Sequence, residues 1–246
     1  MTLSATFTAK SVPQYLDFIF QKFGTGYRPM FRGVRNTDHQ LIPSAGRLYL
    51  RVYKPTGKTF DEFQGHIAAK MQNFSDKALR HWENQPGHLL EEWALAQHHG
   101  FPTNFLDWSL NPLVALYFAV NERNEKRPMS KRGDAGVFAF PGNLDLVRPH
   151  APKNKDRDWN AETDVFAYAP RHLAKRISAQ DGVFTYHPDP TQIFEPTGLV
   201  RFVIPNGARL SILQQLDVVG INEHFVYQDF DGLGAILSQH LGASAE

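Results

Sequence analysis

The chain has 246 residues, room for one large domain or two small ones, and its 42% hydrophobic and 21% charged content is globular, not disordered. A formal net charge of +1 does not announce a nucleic-acid binder. The absence of Cys excludes disulfides, thiolate zinc sites and a Cys nucleophile. The opening "MTLSATFTAKSVPQYL" lacks a basic stretch followed by an apolar one, and no apolar run approaches the ~20 residues that span a bilayer, so a soluble, cytoplasmic protein with no membrane partner is expected.

In chain order, "SVPQYLDFIFQKFG" predicts a helix with Tyr15, Phe18, Ile19 and Phe23 on one face and a stop at Gly24. "YRPMFRGV" is short, aromatic and bounded by Gly, as strands are, and "NTDHQLIPSAGR" reads as a loop with a turn. From Thr59 the apolar residues Phe60, Phe63, Ile67, Met71, Phe74, Ala78 and Trp82 recur every three or four positions, and Thr59 with Glu62 forms a capping box. "PGHLLEEWALAQHHG" predicts a second long helix, ended by Gly100. "TNFLDWS" follows as a strand, and Asn111 and Pro112 take the N-cap and first positions of a helix running to about Asn121.

Beyond this point "GVFAF", "DVFAYA", "GVFTYH" and "GLVRFVIP" are β-branched or aromatic runs separated by Gly, Pro and polar residues. "ARLSILQQLDVVG" and "FDGLGAILSQHL" predict closing helices. Helices lead and strands follow, so the expected fold is α+β, in one unit over 1–246. Its parts are a helix-rich 1–122, a strand-rich 135–206 and closing helices over 207–242. The loops "NERNEKRPMSKRGD" and "RPHAPKNKDRDWN" mix Lys and Arg with acids and read as solvated connections.

Several chemistries can be set aside. Adjacent helical residues point about 100° apart, so His98 and His99 cannot easily share one metal ion, and no H-E-x-x-H occurs. The G-x-S-x-G elbow, the Walker A loop and the Rossmann glycine fingerprint are also missing.

Three places remain. Arg32 sits in an apolar strand, next to Gly33, which lets another group approach closely; its partner is either a ligand phosphate or an internal acid such as Asp107. Asp107 and Ser109 are two apart on one strand and share a face, with capping of the next helix as the alternative for Ser109. Gln180 and Asp181 precede a Gly and a strand, where turn chemistry alone explains the Asp-Gly pair.

Read in order, "FRG" at 31–33, "LIPSAGR", "AQHHGFPTNFLDWSLNPLVALYFA", "RISAQDGVFTYHP" and "LDVVGINEHFVYQDFDGLGAIL" resemble the FRG domain family over most of the chain. Gln97, His98, Gly100, Thr103, Leu106 and Asp107 fit its central pattern. More distantly, "MFRGV" and "DWSLNPLVALYFA" are similar to the first two motifs of the Arg-Ser-Glu class of ADP-ribosyltransferases. The third motif departs, because Gln180 has no Glu two residues later.

That likeness implies helices packed on a split, mostly antiparallel sheet and NAD as substrate, with no metal. It further implies Arg32, Gly33, Ser109, Thr103 and Gln97 on the cofactor side, and Asp107, Asp181 or Gln180 in place of the catalytic Glu. His98 is the nearby group whose ordinary titration range suits a base. By the same likeness the expected protein is a bacterial toxin or phage-defence effector acting on RNA, DNA or protein, restrained by an antitoxin or immunity protein. The rival expectations are a non-catalytic nucleotide or nucleic-acid binding module, and an interaction domain with Arg32, Asp107 and His98 in a buried polar network.

Overall fold

The computed structural model describes residues 5–26, 28–78, 86–121, 132–148, 162–170 and 180–228. Strand β1 (Ala5–Thr8) leads into α1 (Val12–Phe23), whose N-cap Ser11 accepts from the Gln14 amide and whose run stops at Gly24, at φ +69°. β2 (Met30–Val34) precedes α2 (Ser44–Leu48), which continues without leaving helical dihedrals into a π-helical turn over Tyr49–Tyr53. α3 (Phe60–Ala78) and α4 (Leu89–His98) follow. The Thr59–Glu62 capping box forms in both directions, Thr59 N donating to Glu62 Oε2 at 2.7 Å and Glu62 N to Thr59 Oγ1 at 3.2 Å.

Next come β3 (Phe105–Ser109) and α5 (Pro112–Val120), capped by the Asn111 carboxamide, which accepts from Leu113 N and Val114 N. Strands β4 (Ala135–Phe140), β5 (Leu146–Val147), β6 (Phe166–Tyr168), β7 (Gly182–Tyr186) and β8 (Val200–Ile204) precede α6 (Arg209–Val218) and α7 (Glu223–Tyr227).

The eight strands form one sheet in the order β1-β8-β4-β2-β3-β7-β6-β5. The outer pairs β1/β8 and β5/β6 are parallel and the inner pairings antiparallel. The mixed α/β class and the mostly antiparallel sheet are therefore as expected.

β2 and β3, both expected as strands within the helix-rich part, lie at the sheet's centre. Two local readings are corrected. β1, "ATFT", is too short and polar to announce itself and exists because β8 offers it a parallel ladder. The loop over "NTDHQLIPSAGR" ends at Pro43, because Ser44 already opens α2. Gly46, a turn signal in the sequence, lets α2 lie against the Pro190 carbonyl, where a Cβ would come within 1.7 Å. The predicted helix "FDGLGAILSQHL", Trp82 and most of both basic loops lie outside the described residues.

The core has two main bodies. One packs α1, α5 and α6 on β1, β8, β4 and β2, around Tyr15, Phe31, Leu116, Phe202 and Leu216. The other joins Met30, Leu41, Trp108, Phe138, Phe140 and Phe194. β2 contributes to both by strand alternation, Phe31 to the first and Met30 and Val34 to the second. Gly33 is what lets α5 lie on β2, since a Cβ there would meet the Ala115 carbonyl oxygen at 2.0 Å.

Candidate functional site

β2 pairs with β4 over five residues and β3 pairs with β7 over five, yet β2 and β3 meet only at Phe31 and Ser109. Ser109 ends β3, and from that contact back along the strand residues 32–34 and 105–108 form no further ladder with each other. A side chain takes up the slack: Arg32 Nη1 donates to the Asp107 carbonyl at 2.6 Å and to its carboxylate Oδ2 at 3.1 Å. The internal ion pair weighed for Arg32 is thus present, but it lies at an opening and not in solid packing. The Asp107 side chain remains 58% exposed, against 18% for Arg32.

A cavity of about 870 Å³ opens at this seam, with Arg32, Gly33, Asp107, Ser109, Gln97, His98 and Gln180 in its walls. Residues far apart along the chain therefore share one space. Asp107 is held from a second side by the Gln97 amide, which donates to its Oδ1. Gln97 is fixed in turn by the Thr103 hydroxyl, and Thr103 by Ser44, whose Oγ accepts from Thr103 N at 3.0 Å. Thr103 is fully buried behind the wall and supports the cavity without lining it.

Ser109 and Gln180 reach the cavity with their donors engaged. The Ser109 hydroxyl donates to the Gln180 carbonyl at 2.6 Å and accepts from Asn111 N at 2.9 Å, so it ties β3 to the start of β7. The Gln180 amide donates to the Val226 carbonyl at 3.0 Å. Asp181 lies outside the lining: at φ +49° it serves the turn into β7, and its carboxylate pairs with the exposed Arg28 at 2.7 Å.

Residues 28–128 match the sequence model of a known domain family. That family is the FRG domain, which this region is similar to. The match spans β2, α2 to α5 and β3, the elements that build the seam from one side; Gln180 and β7 lie beyond it. No curated protein and no solved structure matches the chain.

The matched region also brings cations to the cavity that sequence reasoning passed over. Arg35, Arg47 and Arg51 join Arg32 in its walls, with His39 beside them and Asp38 as the second carboxylate. Arg47 and Arg51 are four apart, a helical spacing hidden by reading "SAGR" as a loop. Arg47 is exposed as a residue, but partial desolvation of its guanidinium lowers its pKa, Arg32 and Arg51 lower it further, and Asp107 opposes them.

Aromatic surface completes the lining, from Phe31, Trp108, Phe118 and Phe184. Trp108 is held by its indole N–H on Thr185 Oγ1 at 3.0 Å, and Thr185 contacts His187 Nε2 at 2.8 Å. Burial, and secondarily the Arg32 charge, hold His187 down to about 3, so it is neutral at physiological pH and acts as support. Among the described residues no cluster of three or more His, Asp or Glu is arranged to hold a metal ion, and no helix is long and apolar enough to cross a membrane.

Proposed function

We propose that the protein binds NAD in the seam cavity and cleaves the bond between nicotinamide and ribose, passing ADP-ribose to an acceptor nucleophile. The observation that carries this reading is the state of Asp107: an accessible carboxylate, restrained by Arg32 and Gln97, inside a cavity that also holds four arginines. A site built only to bind phosphates is weakened by a carboxylate at its centre. A site that holds phosphates and also faces a developing positive charge needs both signs.

In the reaction the C1′–N1 bond breaks and its electron pair stays with nicotinamide, which leaves neutral. The oxocarbenium that remains at C1′ is stabilised by the Asp107 anion. The acceptor attacks C1′ and loses a proton, with His98 in the cavity wall as the base. Cations hold the diphosphate, and the aromatic walls offer faces for the rings. In this reading the fold belongs with the ADP-ribosyltransferases, and the protein is an effector of the toxin or phage-defence kind. Its acceptor is sought among RNA, DNA and protein.

Folded protein incubated with NAD should release nicotinamide, read by chromatography, and add an ADP-ribose mass to an acceptor. Asp107→Asn should stop both while the melting temperature holds. A folded protein that releases no nicotinamide with any acceptor class refutes the reading. One observation favours binding without turnover: the Ser109 and Gln180 donors are already spent on backbone carbonyls. That alternative predicts thermal stabilisation by NAD and no product.

A further inference from the structure

The four arginines of the cavity are not equivalent. Arg32 is committed to Asp107 through Nη1, and Arg35 donates to Asn121 Oδ1 at 2.9 Å. Arg47 and Arg51 have no carboxylate within ion-pair distance among the described residues. Among the described residues the side chain of Arg47 makes one hydrogen bond, a donation to the Ile42 carbonyl, and that of Arg51 makes none.

Their backbone is fixed. Ala45 is fully buried, Gly46 is wedged against the Pro190 carbonyl, and Ala45 N donates to the Thr103 carbonyl at 3.0 Å. Helical dihedrals persist from α2 through the π-helical turn, so residues 47 and 51 lie on neighbouring turns of one side. Two like charges are thus held together, facing a cavity, with no acid assigned to either. Such a pair repels itself until an anion arrives between its members, and guanidinium forks match phosphate oxygens.

We propose that Arg47 and Arg51 form the phosphate subsite of this cavity, accepting a diphosphate, and that Arg32 is a positioning residue for Asp107. The identity of the ligand as a dinucleotide rests on the function proposed above; the diphosphate subsite stands on its own geometry. The division of labour follows from what each guanidinium already holds. A diphosphate drawn to Arg32 would have to compete with a carboxylate in place. At Arg47 and Arg51 it meets no carboxylate within ion-pair distance among the described residues.

Calorimetric titration of the full chain with inorganic pyrophosphate and with ADP tests the assignment. Both should bind, more weakly as salt rises, and Arg47→Gln and Arg51→Gln should each weaken binding by about tenfold or more. Arg32→Gln should weaken it by less than about threefold. Arg47→Lys, which keeps the charge, and the exposed Arg51 variant cover the case in which Arg47→Gln fails to fold.

Failure of folded wild-type protein to bind either probe overturns the proposal. So does unchanged binding in the Arg47→Gln, Arg51→Gln double variant, or an equal loss in Arg32→Gln. Turnover reads the other claim: with NAD, the Arg51 variant should raise KM and Arg32→Gln should lower kcat. Pyrophosphate binding without nicotinamide release refutes the catalytic reading and leaves the subsite standing. Nicotinamide release that ignores both Arg47 and Arg51 does the reverse.

Discussion

The ladders on either side of the sheet's centre each run for five residues, β2 on β4 and β3 on β7, while the ladder between β2 and β3 is a single pair. The complete ladders are backed by apolar side chains: β4 is buried at all six positions, and β7 at three of five. At the incomplete one the strands carry Arg32 and Asp107, whose charges repel solid packing and attract solvent. The comparison teaches that the opening is encoded twice, by a ladder that stops after one pair and by side chains that profit from the gap. Where pairing is complete the sheet supports; where it lapses the sheet is available for chemistry.

Substitutions on the two sides of that contrast should behave differently. The largest effect is expected on the packed side: Gly33→Ala drives a methyl into the Ala115 carbonyl and should cost about 3 kcal/mol in denaturant unfolding, or prevent folding. An alanine variant as stable as the parent would show that α5 does not lie on β2 as described. On the open side, Asp107→Asn should lower nicotinamide release about a hundredfold with little change in melting temperature. A loss of stability in place of activity would make the seam a structural joint.

Acid sharpens the contrast further. His187 sits behind the open side with its pKa at about 3, against an ordinary 6.5. Above pH 6.5 it is neutral folded and unfolded. As pH falls from 6.5 toward 3, the unfolded chain takes up a proton that the folded one refuses. Folding stability should therefore drop by about 1.4 kcal/mol per pH unit within that window. Unfolding curves at pH 7, 5.5 and 4.5 should show this component shrink in His187→Gln, and parallel curves would remove His187 as its source. The smallest change is at a helix end away from the seam's charges: Asn111→Ala should cost about 1 kcal/mol through the cap of α5. An equal loss of NAD turnover there would extend the site into the helix.

Local signals carried much of the fold into view. The Ser11, Thr59 and Asn111 caps and the three-to-four spacing of α3 depend on neighbours a few residues away, and each is found where the sequence puts it. β1 and α2 were hidden for a shared reason. β1 needs a partner at residues 200–203, and Gly46 of α2 is explained by contact with Pro190, so the determinants lie across the chain.

The site divides along the same line. Arg32, Gln97, His98, Asp107, Ser109 and Gln180 stood out by local context and do line one cavity. Asp181 stood out too and belongs to a turn with Arg28. Arg35, Arg47 and Arg51 look like solvated surface charges until α2 is brought alongside β2.

The parallel pairing of β1 with β8 has a consequence for synthesis. Ala5 meets Val200, so β1 must wait for a segment far along the chain before it finds its ladder. Until Ile204 has emerged, β4 also lacks the neighbour that covers one of its edges, and its sequence, "AGVFAF", carries no charge to discourage a stray strand. A nascent or truncated chain ending short of β8 therefore displays an adhesive apolar border, which β8 covers when it pairs with β4.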